Sequence, residues 1–423
     1  MINIIFIVFL INILNFINCV FIFPFEKYLS APEGLETMED ILNNEIYTDI
    51  KIGTPIQTIN AKITFSSSTF YITGISGYQY DPLKSSTYKK ESNYERDFYL
   101  EDFSKGYISS DSIYFLDYKT KKQTPLTSFI FIQPTQRKNE SKLKSAQIGF
   151  KLYSSSASSD EQIMDKLKKK NVLKNNVIFI KFSKKQSNGI LYIGDFPHNF
   201  DKDYYSINNF YKTKVSYLAH IPSWNIQFEE ILFDNNVKSK FRQCDLIYDF
   251  GGILAPNDYY DYIKNNFFNN LINKGECFEN EIKDNYQTFK CKGSAQIKTF
   301  KTLIFKSKDL KYNFELNYED LFLSNKGEYY FLIVFKNNYE PNNWIFGKPF
   351  LKKYDFVLDF DRKEIGFYGK SYSNSFDSLW IIIIILIIII IGIIYLIFKV
   401  SKNKKGKRMV TTELIDDHYF PQN

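Results

Sequence analysis

The stretch Leu-Ile-Tyr-Asp-Phe-Gly-Gly at residues 246–252 decides how the chain is interpreted. An apolar run leads into Asp249 and two glycines follow, a pattern that predicts a strand delivering one carboxylate into a tight turn. A ligand or a water molecule can approach a carboxylate closely in such a turn. An aspartate in a turn can also simply cap its own backbone, so both interpretations stay open on this stretch alone.

A second stretch, Ile-Thr-Phe-Ser-Ser-Ser at residues 63–68, has the same form, because it also runs from a strand pattern into small residues. Each stretch is followed downstream by an apolar segment that ends in glycine, at Gly149 in the first half and at Gly347 in the second. Such internal repetition indicates two copies of one design. We therefore expect two β lobes around a pseudo-twofold axis, with the two turns meeting at a cleft between the lobes.

Short alternating segments separated by polar turns dominate the chain from residue 45 to residue 369. Alternation of this kind is typical of strands with one buried face. The clearest examples are residues 46–52, 112–115, 177–180, 190–193 and 356–358. Two helical patches, at residues 161–169 and 258–266, interrupt the pattern. The sequence therefore predicts a mostly β protein.

Composition excludes several classes of function. With 423 residues, 44% hydrophobic and 24% charged, the chain can bury one large core or two moderate ones. Its net charge of +7 is modest, and three of these charges come from the C-terminal tail, so we expect no nucleic-acid partner. His198, His220 and His418 are scattered along the chain, which argues against a metal site. We expect no cofactor.

Both ends of the chain carry apolar runs. Residues 1–21 have the character of a short secretory signal segment, and residues 379–398 form an apolar run about as long as a bilayer core is thick. The positive-inside rule places the basic tail at residues 399–423 in the cytosol. The sequence thus predicts a single-pass type I membrane protein of the secretory pathway or cell surface, with its folded part luminal or extracellular.

Cysteines and one sequon fit an oxidising compartment. Cys277 and Cys291 bracket a polar, charged loop, and we expect a disulfide between them. Cys244 has no neighbouring histidine and is interpreted as a buried, small apolar residue. Asn139 begins the triplet Asn-Glu-Ser, a possible N-glycosylation acceptor.

Five motifs, occurring in order between residues 45 and 369, resemble those of the pepsin-like aspartic proteases. They are an opening strand and turn at residues 50–57, a loop of the form Asp-Pro-x-x-Ser-Ser-Thr at 81–88, a lobe-closing strand at 189–194, an aromatic strand at 223–226, and the second-lobe ending at 344–367. The resemblance covers nearly all of the expected folded region.

This resemblance implies a bilobal, mostly β fold with an N-terminal lobe at residues 45–200 and a C-terminal lobe at residues 201–370. A short, prosegment-like linker at residues 22–44 would join the signal segment to the fold. The resemblance also implies that a peptide or protein ligand lies in the cleft between the lobes.

The chemistry of this family needs two carboxylates that share one proton, so that one activates water while the other polarises the peptide carbonyl. The resemblance assigns Asp249 to the second catalytic position, but the first position holds Thr64, whose hydroxyl cannot act as a general base. Asp49 lies in the preceding strand and Asp81 in a distal loop, so neither is expected to replace the missing acid. We therefore expect the paired chemistry to be lost.

Neighbouring positions also depart from the family's pattern. Phe65 and Phe250 replace the hydroxyl residues that follow the two catalytic aspartates, and we expect their rings to stack across the lobe interface. Ser66 replaces a glycine of the first turn, whereas Gly251 is retained in the second. Tyr99 falls on the family's flap tyrosine.

Three functions stay open. The first is a membrane-tethered, non-catalytic homologue that binds a ligand in its cleft. The second is an active aspartic-type endopeptidase that uses Asp249 in an atypical centre, and the third is a structural lobe of a larger assembly. The need for paired carboxylates favours the first.

Overall fold

A computed structural model of the chain contains two large β-sheets. The residues that it describes are 19–27, 36–74, 79–98, 103–137, 144–152, 162–183, 188–218, 221–234, 236–282, 285–336, 343–369 and 389–395. Residues up to 369 form one compact unit, and the short segment at 389–395 belongs to a second.

The first sheet has fourteen strands. They are β1 (Phe21–Lys27), β2 (Ile46–Ile52), β3 (Gln57–Thr64), β4 (Phe70–Ile72), β5 (Lys89–Lys90), β6 (Arg96–Asp97), β7 (Phe103–Asp117), β8 (Gln123–Arg137), β9 (Ala146–Gly149), β10 (Val177–Phe182), β11 (Asn188–Ile193), β12 (Phe210–Lys214), β26 (Phe356–Asp359) and β27 (Glu364–Tyr368). They pair in the order β12-β27-β26-β10-β11-β1-β2-β3-β9-β4-β8-β7-β5, and β6 pairs with β7.

A short hairpin follows, made of β13 (Tyr217–Leu218) and β14 (Ile221–Pro222). The second sheet then contains β15 (Asn225–Phe233), β16 (Asn236–Leu246), β17 (Ile253–Leu254), β18 (Cys277–Ile282), β19 (Tyr286–Lys292), β20 (Leu303–Ser307), β21 (Tyr312–Leu316), β22 (Phe322–Asn325), β23 (Glu328–Phe331), β24 (Ile333–Lys336) and β25 (Trp344–Phe346). It is ordered β21-β20-β15-β16-β25-β17-β24-β19-β23-β22, with β18 on β19.

Helices are short and lie between strands. In the described residues up to 369, the α-helices are α1 (Met38–Leu42), α2 (Ile163–Lys169), α3 (Pro197–Phe200), α4 (Asp258–Ile263), α5 (Asn269–Asn273), α6 (Tyr318–Leu321) and α7 (Lys348–Leu351). A π-helical turn at Lys264–Phe268 joins α4 to α5, and 3-10 turns occur at Pro82–Lys84, Ile207–Asn209 and Ile297–Thr299. The predicted patches at 161–169 and 258–266 are therefore helical, and the second continues further than expected.

Alternation of apolar and polar residues explains why these segments form strands. In β2, Ile46, Ile50 and Ile52 are buried, whereas Tyr47 and Asp49 lie on the more exposed face. Full burial of each isoleucine side chain contributes about 1.5–3 kcal/mol. The strand predicted at residues 46–52 is present with those bounds, and the mostly β, bilobal fold is confirmed.

The last strands of the chain close the first sheet. β26 pairs with β10, and β27 joins β26 to β12, so segments from the predicted C-terminal lobe take part in the sheet that begins in the N-terminal half. The indole Nε1 of Trp224 also donates a 2.8 Å hydrogen bond to the carbonyl of Phe150. The two halves are thus joined by both sheet pairing and side-chain contact.

The described parts of the segment predicted as a linker, residues 22–27 and 36–44, are built into the fold. β1 lies between β11 and β2, and it makes six residue pairs with β11. Phe21, Phe23 and Phe25 alternate along β1 and are all buried, so the strand has the apolar face that a sheet interior requires. Further along, α1 packs against the second half of the chain.

The membrane prediction falls mainly outside the described residues. Of residues 379–398, only 389–395 are described, and these are helical. Nowhere in the described residues is a helix both long enough and apolar enough to span a bilayer. Residues 1–18 and the tail at 399–423 lie outside the described residues, so the signal segment and the cytosolic tail stay predictions.

Candidate functional site

The two glycine- and serine-rich turns meet, as the sequence analysis expected. β3 ends at Thr64, and the turn that follows β16 carries Asp249. The Thr64 hydroxyl donates a 2.6 Å hydrogen bond to Oδ2 of Asp249. The residues at the two family positions are therefore in direct contact, and that contact joins a hydroxyl to a carboxyl group.

Equivalent pairings surround the two turns, which confirms the internal repetition. β9 runs parallel to β3 and antiparallel to β4, while β25 runs parallel to β16 and antiparallel to β17. A Cβ atom on Gly149 would lie 2.5 Å from backbone atoms of residues 67–69, and one on Gly347 would lie 2.2 Å from the carbonyl oxygen of Phe250. Both glycines are required because the backbones approach too closely for a side chain.

Ser66 extends the contact into a chain of hydroxyl groups. Its Oγ lies 2.7 Å from Thr64 Oγ1, and its backbone N–H donates to the same oxygen at 3.2 Å. Since the one hydroxyl proton of Thr64 is donated to Asp249, Ser66 is the donor in the hydroxyl pair, and its 3.4 Å approach to Oδ2 of Asp249 is the weaker branch of the same shared proton. Thr64 is only 2% exposed, whereas Ser66 is exposed. The Thr64 hydroxyl is therefore fully used within the protein.

The second oxygen of Asp249 is less well satisfied. Oδ1 accepts a long, 3.4 Å hydrogen bond from the N–H of Phe65, while Oδ2 accepts from Thr64 and, at 3.4 Å, from Ser66. Asp249 is partly exposed and has no ion-pair partner in the described part of the chain. Nor do the described residues contain a group of acidic, histidine or cysteine side chains that could hold a metal ion.

The N-terminal segment holds the Asp249 turn in place. Asn44 is buried, and its Nδ2 donates a 2.9 Å hydrogen bond to the carbonyl of Tyr248. The N–H of Gly251 donates to the carbonyl of Leu42 at 2.8 Å. A Cβ atom at residue 251 would lie 1.7 Å from the carbonyl oxygen of Ile41, which explains why glycine is retained there. The sequence around Asn44 gives no signal of this role, because no local pattern reveals a partner 204 residues away.

The expected stacking of Phe65 on Phe250 is wrong. The Phe65 ring is buried and lies 4.5 Å from the ring of Tyr248 and 5.6 Å from that of Phe150. Phe250 is instead packed against the apolar cluster that includes Leu42. An aromatic contact does cross between the lobes, but its second ring is Tyr248, because Phe250 covers apolar surface on α1.

The two alternative acids lie elsewhere. Asp49 is exposed on β2 and accepts only a long, 3.4 Å hydrogen bond from Asn60. Asp81 caps the turn at Pro82–Lys84 by accepting from the N–H of Leu83. Neither contacts Asp249, as expected from the sequence.

Asp245, four residues before Asp249, was not singled out from the sequence. Burial raises the pKa of its carboxyl group, although the 2.7 Å hydrogen bond from Ser223 acts in the opposite direction. It pairs in the sheet with Ile345. Asp245 therefore belongs to the strand that supports the turn and is not part of the Thr64–Asp249 contact.

Of the remaining predicted residues, two lie outside the described residues: Tyr99 of the expected flap and Asn139 of the sequon. The disulfide between Cys277 and Cys291 is confirmed. Cys244 is fully buried, and burial raises the pKa of its thiol well above the ordinary value. A reactive thiolate is therefore not expected at that position.

A cavity of about 930 Å³ lies away from the two turns, over residues of β1, β2, β3, β10 and β11. Its lining includes Tyr47, Asp49 and Lys181, and it includes neither Thr64 nor Asp249. A candidate site needs convergent polar groups as well as space. The contact between the two turns supplies the convergent polar groups, because it joins the side chains of Thr64, Ser66 and Asp249, and it is therefore taken as the functional site.

Comparisons with known proteins agree with this architecture. A family model described as eukaryotic aspartyl protease matches residues 45–369. Among solved structures, the chain is similar to the basic 7S globulin of soybean, with a TM-score of 0.62 and 12% identity over 84% of this chain and 96% of that chain. At such low identity, the similarity shows the fold alone. No curated protein matches the chain.

Proposed function

The chain belongs to the eukaryotic aspartyl protease family, and from that membership we propose that it is a non-catalytic member whose interlobe cleft binds a peptide or protein ligand without cleaving it. One observation carries the proposal. The Thr64 hydroxyl lies 2.6 Å from Asp249, in the position where the reaction needs a second carboxyl group.

The number of groups that can donate or accept a proton at this site supports the proposal. Hydrolysis requires a base that takes a proton from water and an acid that polarises the peptide carbonyl. Asp249 can supply one of these functions at a time. Thr64 already donates its only proton to Asp249, and an alcohol is far too weak an acid to take the other role. No shared proton links two acids at this site.

A second candidate function is an endopeptidase with an atypical centre. It is favoured by the exposed hydroxyl of Ser66, which lies 3.4 Å from Oδ2 of Asp249. In that mechanism Asp249 activates the water, and Ser66 donates a hydrogen bond to the carbonyl oxygen of the peptide. A hydroxyl donor stabilises the developing charge less than a carboxylic acid does, so this activity would be slow.

We further propose that the protein is tethered to a membrane of the secretory pathway or cell surface. Support comes from the apolar run at residues 379–398 and the basic residues that follow it. The Cys277–Cys291 disulfide is also typical of an oxidising compartment. The folded part would then face the lumen or the outside of the cell.

The test uses the full-length chain, purified in detergent, and a library of random decapeptides between pH 3 and pH 7. Mass spectrometry detects new peptide termini, and fluorescence anisotropy measures binding of the same library. We expect binding without cleavage. Cleavage that disappears in Asp249→Ala, but persists in the exposed control Asp49→Ala, would establish the endopeptidase and overturn the proposal.

A further inference from the structure

No charged group in the described structure contacts the carboxyl group of Asp249. The groups that contact its carboxylate are the hydroxyls of Thr64 and Ser66 and the N–H of Phe65, and all three are neutral. The part of the chain that the structure describes contains no lysine, arginine or histidine paired with it. A cationic ligand group would therefore meet no competing cation of the described chain at Asp249, and it could form a charge-assisted hydrogen bond there.

The two oxygens of the carboxylate differ in their remaining capacity to accept hydrogen bonds. An ionised carboxylate offers about four acceptor positions. Oδ2 already accepts from Thr64 at 2.6 Å and from Ser66 at 3.4 Å. From the described residues, Oδ1 accepts only the 3.4 Å bond from the N–H of Phe65, which is longer than the usual range. A ligand donor would therefore bind at Oδ1.

Resting on the function proposed above, we propose that Asp249 is the specificity-determining residue of the cleft and that it selects a cationic group of the ligand. The class of ligand is a peptide or protein that presents an ammonium or guanidinium group, from a lysine or arginine side chain or from a free amino terminus. No proton transfer and no bond cleavage is involved. The interaction is a charge-assisted hydrogen bond.

The geometry also predicts how the two basic side chains compare. Arginine gains its usual advantage over lysine from two parallel hydrogen bonds to both oxygens of a carboxylate. Here Oδ2 is occupied by Thr64 and Ser66, so only Oδ1 has free capacity. We therefore expect lysine and arginine to be accepted about equally.

The experiment measures binding of four fluorescent peptide mixtures to the full-length chain. The mixtures are amino-terminally acetylated random dodecapeptides that share one fixed central residue: lysine, arginine, citrulline or norleucine. We expect the lysine and arginine mixtures to bind about tenfold more tightly than the neutral ones, as for a hydrogen bond that involves charged groups. In Asp249→Asn, which preserves shape, the ratio should fall to about one. Asp49→Asn is the matched control and should keep the parent ratio.

Two further measurements test which group of the peptide supplies the positive charge and which oxygen of Asp249 binds it. Mixtures with a free amino terminus test whether the α-ammonium group supplies the charge. If they bind more tightly than the acetylated mixtures, and if Asp249→Asn removes this difference, the proposal is supported with the α-ammonium group as the cation. Ser66→Ala should keep the preference, because Ser66 contacts Oδ2 and not Oδ1.

The outcomes distinguish the two proposals. If charged and neutral mixtures bind the parent chain equally, or if Asp249→Asn retains the preference, the inference about charge is overturned while ligand binding in the cleft stands. If no mixture binds, both proposals fail. If peptides are cleaved in an Asp249-dependent manner, the non-catalytic function is overturned, and a preserved preference for cations would still support the role of Asp249 in selection.

Discussion

Replacing Thr64 by aspartate should restore measurable peptide hydrolysis. The Thr64 hydroxyl oxygen lies 2.6 Å from Oδ2 of Asp249. The carboxyl group of an aspartate at residue 64 reaches one bond farther than this hydroxyl, so it would meet the carboxyl group of Asp249 after a small adjustment of the two side chains. Two carboxylates at such a distance cannot both ionise, and the pair would hold one shared proton. One group then acts as the acid and the other as the base.

The expected increase in rate depends on the restored pair of carboxyl groups and on the hydroxyl residues beside them that are still absent. A positioned general acid or base contributes about 10²–10⁴-fold to a rate. Phe65 and Phe250 remain in place of the hydroxyl residues that orient the two acids in the family, so we expect the lower end, about 10²-fold, in kcat/KM near pH 4. Residue 64 is only 2% exposed. The added carboxyl group should therefore lower the unfolding temperature more at pH 7 than at pH 4, because burial penalises the ionised form.

The assay is hydrolysis of a quenched fluorescent peptide library between pH 3 and pH 7. Thr64→Asn is the matched control, because asparagine has the size of aspartate without its acidity, and the double variant Thr64→Asp/Asp249→Ala should be inactive. A Thr64→Asp chain that is folded and binds peptides, yet hydrolyses them no faster than Thr64→Asn, would refute the reasoning. So would a parent chain as active as Thr64→Asp.

Three further predictions concern stability. Asn44→Ala should lower the free energy of unfolding in urea by about 1–3 kcal/mol, because it leaves a buried carbonyl of the Asp249 turn unpaired, whereas Asn60→Ala, which loses a long and exposed hydrogen bond, should change it by less than about 0.5 kcal/mol. Replacing Cys277 and Cys291 together by serine should cost about 3 kcal/mol, the loop entropy expected for a sequence separation of 14, and reduction of the parent chain should have the same effect. Burial raises the pKa of Glu45, but hydrogen bonds and charges from its lysine and tyrosine partners outweigh burial and hold that pKa below its ordinary value. The resulting stabilisation is complete above about pH 4.5 and is lost as the pH falls through the lower, folded pKa, so Glu45→Gln should flatten the acid side of the curve of unfolding temperature against pH.

The strands and the meeting of the two turns could be predicted from the sequence because their signals are local. The alternation of buried isoleucines predicts β2 with its observed bounds, and each of the two turns has its own run of small residues. The Thr64–Asp249 contact follows once both turns are assigned to one repeated design, since a pseudo-twofold axis brings equivalent turns together. The disulfide follows from two cysteines at either end of one short, polar loop.

The contacts that position the turn could not be predicted in this way. β1 has an alternating apolar face, but its sequence continues the apolar run at residues 1–20, which was predicted to be a signal segment, so its periodicity is hidden within a longer apolar run. The partner of Phe65 depends on which ring lies nearest across the lobes, and burial of Phe250 on α1 leaves that place to Tyr248. Local periodicity shows which face of a segment is buried, and it does not show which distant segment covers that face.

In our proposal, the Thr64–Asp249 contact both stabilises the fold and determines which atom of Asp249 binds the ligand. Two facing carboxyl groups would repel each other unless they shared a proton, whereas a hydroxyl facing a carboxylate is favourable at any pH where Asp249 is ionised. The same contact occupies Oδ2, and the hydroxyl of Ser66 hydrogen-bonds to that of Thr64. Oδ1 is then the atom left for a ligand. In our proposal, therefore, threonine at residue 64 has two effects. It removes the second acid that hydrolysis needs, and its hydroxyl is a fixed donor to Oδ2, which leaves Oδ1 of Asp249 as the acceptor for a cationic ligand group.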